Sequence, residues 1–128
     1  MPERVRLGLV TLRNEHEVLK PVDLPGIYIV KHYSKRQSFE DVVQASNVQK
    51  LYEAVRGRVI TIDGVLDEVE RGAIKGLRLT SYTSWKKRYE IENILIVLCA
   101  LGLATAEKQG RGFAFWVHQK EAAATKQR

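Results

Sequence analysis

The chain predicts an α+β fold, and three features of its residue pattern predict it. Short β-branched or alternating apolar runs stand near both ends, apolar residues recur at helical spacing between them, and Gly, Pro and capping residues mark the changes of period. At 128 residues, with 45% hydrophobic and 28% charged residues, the chain has one domain's length and enough apolar side chain to bury a core.

Val5-Arg6-Leu7-Gly8-Leu9 alternates apolar with other residues and predicts a half-buried strand. Asn14 to Gly26 holds Pro21, Pro25 and Gly26 and reads as a loop. Ile27-Tyr28-Ile29-Val30 is a second β-rich run, which makes residues 4–33 a long-looped hairpin. Ser38 with Asp41, and Ser46 with Gln49, have capping-box-like spacing, and Val48, Leu51, Tyr52 and Val55 then recur at helical intervals up to Gly57. One helix, or two broken near Ser46, is expected over residues 38–57.

Arg58-Val59-Ile60 is a short strand-like link, and Thr61 is a good N-cap for a helix from Ile62 to Arg71, stopped by Gly72. Ala73 to Tyr82 has no clear period. From about Thr83 a long helix is expected, with Ile91, Ile94, Leu95, Leu98 and Leu101 on one stripe and Gly102 as its stop. Leu103 to Lys108, a Gln109-Gly110-Arg111-Gly112 turn, and Phe113 to Val117 read as an antiparallel hairpin.

Helix, short strand, helix, helix, hairpin is the order of a winged helix-turn-helix, three helices plus a β-hairpin wing. The expected organisation is a β-rich extension over residues 1–45, the winged helix over 46–118, and a flexible basic tail over 119–128. In such a module the third helix buries its stripe on the first two and presents its first turns to a DNA groove.

The charge agrees with that role. Residues 1–70 carry 10 basic and 11 acidic side chains, whereas residues 71–128 carry 11 basic and 4 acidic, so the net +6 lies wholly in the second part. Charge gathered in one region attracts polyanions. Lys86, Lys87 and Arg88 fall at a helix start, where the helix dipole already favours phosphate. Arg111, between two glycines at the wing tip, is placed for a phosphate or minor-groove contact. Tyr82, Trp85 and Tyr89 lie among these cations.

The run Lys86-Lys87-Arg88-Tyr89-Glu90-Ile91-Glu92-Asn93-Ile94-Leu95, followed by Leu101-Gly102-Leu103 and Trp116, resembles the recognition helix and wing of the E-two-factor/DP transcription factors. Their signature reads Arg-Arg-x-Tyr-Asp, then Asn-Val-Leu, then a wing strand ending in Trp. The resemblance is strongest over residues 86–95, looser over 46–118, and absent from 1–45. It implies that Lys86 and Lys87 stand where the family's base-reading arginines stand, with Tyr89, Glu90 and Asn93 at its tyrosine, aspartate and asparagine. Lysine is a point charge and cannot grip guanine O6 and N7 with two bonds, so the resemblance implies a shared architecture rather than a shared target.

Other chemistries have no candidate residues. Cys99 is the single cysteine, so there is no disulfide framework, and it sits in an apolar run as a core residue. His16, His32 and His118 are scattered, and Glu15-His16-Glu17 reads as a solvated loop rather than a metal shell. There is no phosphate-binding glycine loop, nucleophile elbow or zincin helix. No catalytic residue, metal, cofactor or small-molecule ligand is therefore expected, and with no apolar run of membrane-spanning length the expected location is intracellular. Low Cys and Met with a Val/Ile/Arg/Lys-rich core suits an archaeal or viral thermophile source.

The apolar run Ile94 to Leu101 faces every direction, so Ile96 and Val97 need a cover. A homodimer formed through them is expected, with the N-terminal hairpin folding back over the same face as the rival. The expected function is sequence-specific binding of double-stranded DNA by a transcriptional regulator, in which Lys86, Lys87 and Tyr89 enter the major groove while Arg88 and Arg111 hold phosphates. The alternatives are a winged-helix protein–protein module, or a single-strand or RNA binder that stacks bases on Trp85 and the tyrosines.

Overall fold

The computed structural model describes residues 3–34 and 37–119, so the expected tail lies, but for Gln119, outside the described residues. Strands β1 (Arg4–Thr11), β2 (Glu15–Pro21), β3 (Ile27–Tyr33) and β4 (Ser38–Gln44) form an antiparallel meander in the order β1-β2-β3-β4. The chain then runs through α1 (Ala45–Val55), β5 (Val59–Thr61), α2 (Ile62–Glu70), α3 (Ser84–Ala100), β6 (Ala104–Gln109) and β7 (Gly112–Val117), and the last three strands pair antiparallel in the order β5-β7-β6. The α+β class and the β-rich N-terminal part are as expected. Among the described residues no helix is long and apolar enough to cross a membrane.

From Val59 onward the local signals act where they stand. Thr61 Oγ1 accepts from the Gly64 N–H at 3.0 Å and starts α2. Gly102, at φ 78°, turns the chain out of α3, and the Leu103 N–H to Leu98 carbonyl bond of 2.9 Å closes that end.

The N-terminal part corrects two expectations. Residues 15–21, read as loop, are β2, which pairs with β1 on one side and β3 on the other, with His16 opposite His32 and Val18 opposite Val30. Pro21 ends that strand, a position where a missing N–H costs no central ladder bond. Residues 38–44, read as helix, are β4; Val42 and Val43 pair with Ile29 and Tyr28. The Ser38–Asp41 spacing imitates a capping box without being one. Helix α1 begins at Ala45 after Gln44, which gives no side-chain cap, so Ser46 lies inside its first turn.

The meander packs on α3, which also contacts α1, α2 and β6. Val10, Val18, Val30 and Val43 of the meander join Ile91, Ile94, Leu95, Leu98, Leu51, Val55, Val65 and Phe115 in one core. Ile96 and Val97 are 0% exposed within the single chain, so they are not a dimer face: the β-sheet covers them. β1 slips register between Arg6 and Gly8, and Gly8 lies against the last turn of α3, where an added Cβ would sit 3.5 Å from the Ala100 carbonyl oxygen.

That distance is ordinary contact for one methyl and leaves no room for a branched side chain. Gly8→Ala should change stability little, whereas Gly8→Val should cost about 1–3 kcal/mol by overpacking. Urea melts of the two variants check the pair of outcomes.

Candidate nucleic-acid interface

Position on α3 decides which side chains are free. Trp85, Tyr89, Ile96 and Ala100 share one face of the helix at spacings of four and seven. The meander covers Ile96 and Ala100 but stops short of the first turns, so Trp85 (60%) and Tyr89 (56%) stay exposed, beside Tyr82 at 96%. Their rings meet edge to face, with centroids 6.0 Å apart for Trp85 and Tyr89, and Lys86 Nζ lies 5.5 Å from the Trp85 ring centre.

The long connection before α3 is held by side chains acting as backbone partners. Asn47 donates to the Arg78 carbonyl at 3.0 Å and accepts from the Arg78 N–H at 2.8 Å. The Glu90 carboxylate accepts from the Thr80 and Ser81 N–H groups at 2.9 and 2.8 Å, and Ser84 Oγ donates to Glu70. These ties fix where α3 begins. Its first turn has no acidic residue of its own and its N-cap, Thr83, gives no side-chain bond, so the carboxylate held at Ser84, by the positive end of the helix dipole, is that of Glu70.

The five expected contact residues are not equivalent. Lys86 and Tyr89 are exposed on the open face. Lys87 is half-buried on the side of α3 shared with Ile91 and Ile94, so it flanks that face. Arg88 donates from Nε to Asp63 Oδ1 at 2.7 Å, which compensates its charge locally. Arg111 is exposed in the β6–β7 turn, and Arg13, from the β1–β2 turn, donates to its carbonyl at 3.0 Å. The β1–β2 and β6–β7 turns thus bring two arginines together, of which the sequence reading anticipated one. Glu90 holds the preceding loop, and Asn93 is buried and donates to Asp41 of β4 at 3.1 Å, so neither is a base reader.

Sequence reasoning missed the cleft beside this face. It measures about 810 Å³ and is walled by the β1–β2 turn, the meander, the first turns of α2 and α3, and the wing turn. In it a polar chain crosses from β2 to α3: His16 Nδ1 and His32 Nδ1 share a hydrogen bond of 2.9 Å, and His32 Nε2 meets Asp41 Oδ2 at 3.0 Å. Burial first, and the neighbouring His32 second, push the His16 imidazole down to about 4. Burial raises Glu92, against the opposing pull of Arg88, His32 and Arg13. Had β2 been read as a strand, its register would have set the two histidines side by side. No group of three or more His, Cys, Asp or Glu among the described residues is placed to hold a metal. Burial pushes the Cys99 thiol up to about 11, which keeps it protonated and unreactive.

Compared with protein-family models, characterised proteins and solved structures, the chain matches none.

The buried imidazole sets a pH dependence. Unfolded, His16 takes a proton near 6.5; folded, it resists until about 4. Its share of stability is therefore intact above about pH 6.5 and lost as pH falls toward 4, about 2 kcal/mol of it by about pH 5. Urea midpoints at about pH 7 and about pH 5 should fall apart in the natural chain and lie closer together in His16→Phe.

Proposed function

We propose that this protein is a sequence-specific double-stranded DNA-binding protein of winged helix-turn-helix architecture, acting as a transcriptional regulator. The observation that carries the reading is the open face at the start of α3. The meander leaves that face uncovered over the first turns only, and there it carries Lys86, Trp85 and Tyr89, of which Tyr89 lines the same cleft as Arg13 of the β1–β2 turn and Arg111 of the β6–β7 turn. The element order and the β5-β7-β6 sheet support a winged helix, in which this end of the third helix enters the major groove. Lys86 and Tyr89 then reach base edges, Lys87 flanks the groove, and Arg111 with Arg13 holds phosphate. Arg88 is spent on Asp63 and is left out of the anchoring set.

The three exposed aromatic rings favour a second reading, stacking on bases of a single strand. A competition assay with duplex and single-strand competitors separates the two. No nucleic-acid binding at low salt would turn the same surface into a protein-docking face.

With Lys86, Lys87, Arg13 and Arg111 neutralising phosphates, log K should fall with log salt at a slope of roughly −3 to −4. Lys86→Ala should cost about 1–3 kcal/mol on a preferred site and flatten the preference, while Arg111→Ala should weaken all duplexes alike and reduce the slope by about one. Equal, sequence-independent losses at both positions would remove Lys86 as a reader. Asp63→Asn should act oppositely: it releases Arg88, and duplex affinity at low salt should rise. A fluorescence-anisotropy titration reads all three.

A further inference from the structure

We propose that the cleft between the meander and the start of α3 binds a small planar anion: an aromatic ring that bears a carboxylate or phosphate and an N–H or O–H donor. This goes beyond the DNA reading and stands without it. Sequence reasoning expected no small-molecule ligand; the cleft has the volume of one, about 810 Å³, within the range of roughly 300–1,000 Å³ typical of such sites.

The donor requirement comes from His16, which is only 7% exposed and lines the cleft. Asp41 Oδ2 can only accept toward Asn93 Nδ2, and it accepts from His32 Nε2 as well. His32 Nδ1 is then the acceptor for His16 Nδ1–H, which leaves a lone pair on His16 Nε2. No described residue donates to that atom, and no buried side-chain nitrogen or oxygen among the described residues lacks a partner, so Nε2 is open to the cleft rather than sealed away. It asks for a donor that only a ligand or water can bring.

The charge requirement comes from the arginines. Of the carboxylates in the wall, Asp63 is paired with Arg88 and Asp41 accepts from His32 and Asn93, while burial raises Glu92 against the opposing pull of Arg88, His32 and Arg13. Among the described residues Arg13 and Arg111 have no carboxylate at ion-pairing distance, so two guanidinium groups at the rim are left without an acidic partner. Guanidinium groups suit a carboxylate or phosphate, with planar, two-bond geometry. The ring requirement comes from Phe39, which stacks on His32 at 4.8 Å with its outer surface half-exposed, and from Phe113 across the cleft.

Calorimetry on the intact protein tests this with two ring anions, indole-3-carboxylate and adenosine 5′-monophosphate, each against its neutral counterpart, indole and adenosine. At least one anion should bind below about 1 mM and its counterpart about tenfold more weakly or worse; which anion binds identifies the carboxylate or the phosphate as the preferred group. Arg13→Ala, in an exposed turn, should weaken the anion about tenfold and leave the neutral ring unchanged. His16→Phe, verified as folded by circular dichroism, should weaken both. The proposal is overturned if neither anion binds below about 1 mM, or if binding is the same in Arg13→Ala as in the natural chain.

Discussion

Five consecutive residues of α3, Ile94 to Leu98, are at most 2% exposed, and consecutive positions of a helix can all be buried only when it is enclosed on every side. The other helices and β6 take one side and the meander takes the other. Each such side chain is worth about 1.5–3 kcal/mol when removed from water, so neither wall is optional. The meander therefore belongs to the same core, to which it contributes Val10, Val18, Val30 and Val43. The chain His16–His32–Asp41–Asn93 runs along the same contact and allows one arrangement of donors and acceptors, so it fixes how helix and sheet sit against each other as well as how strongly.

That enclosure also decides which surface remains. The covered end of α3 leaves only its first turns to face outward, and Lys86 and Lys87 stand there. Elsewhere four arginines are paired with a carboxylate: Arg4 with Glu40, Arg6 with Glu17, Arg58 with Glu68, Arg71 with Asp67. These solvent-screened pairs add little to stability. Their effect on the field is larger, because each cancels one positive charge where it stands while Lys86, Lys87, Arg13 and Arg111 keep theirs.

Legibility in the sequence follows the range of the interactions. From Val59 to Val117 each element is set by neighbours in the chain, a Thr cap, a Gly stop, a heptad-like stripe or a tight turn, and there the expected and observed bounds nearly coincide. The meander is different: β2 and β4 are strands because of their partners, and Pro21 and the Ser38–Asp41 spacing point locally the other way. The basic run at 86–88 was visible, but Arg88's loss to Asp63, 25 residues earlier, was not. Nor was the pairing of His16 with His32, which needs the register of two strands that local pattern did not reveal. Ile96 and Val97 show the same limit from the other direction: the need for a cover was legible, but the choice between a second subunit and the chain's own N-terminal strands was not.

The bond from Arg13 to the Arg111 carbonyl ties these strands together, because it fastens the β6–β7 turn to the β1–β2 turn. The β6–β7 hairpin is thereby placed by the meander as well as by its own sheet. The same contact sets two guanidinium groups at the mouth of the cleft and at the edge of the α3 face at once. A ring anion in the cleft and a phosphate on the wing would draw on the same positive charge, and linkage requires such competition to be reciprocal: whatever factor the anion removes from duplex affinity, the duplex removes from anion affinity. On this geometry a small ligand would oppose DNA without moving the third helix, since the arginines shared by the two sites belong to the turns and α3 itself is locked in the core.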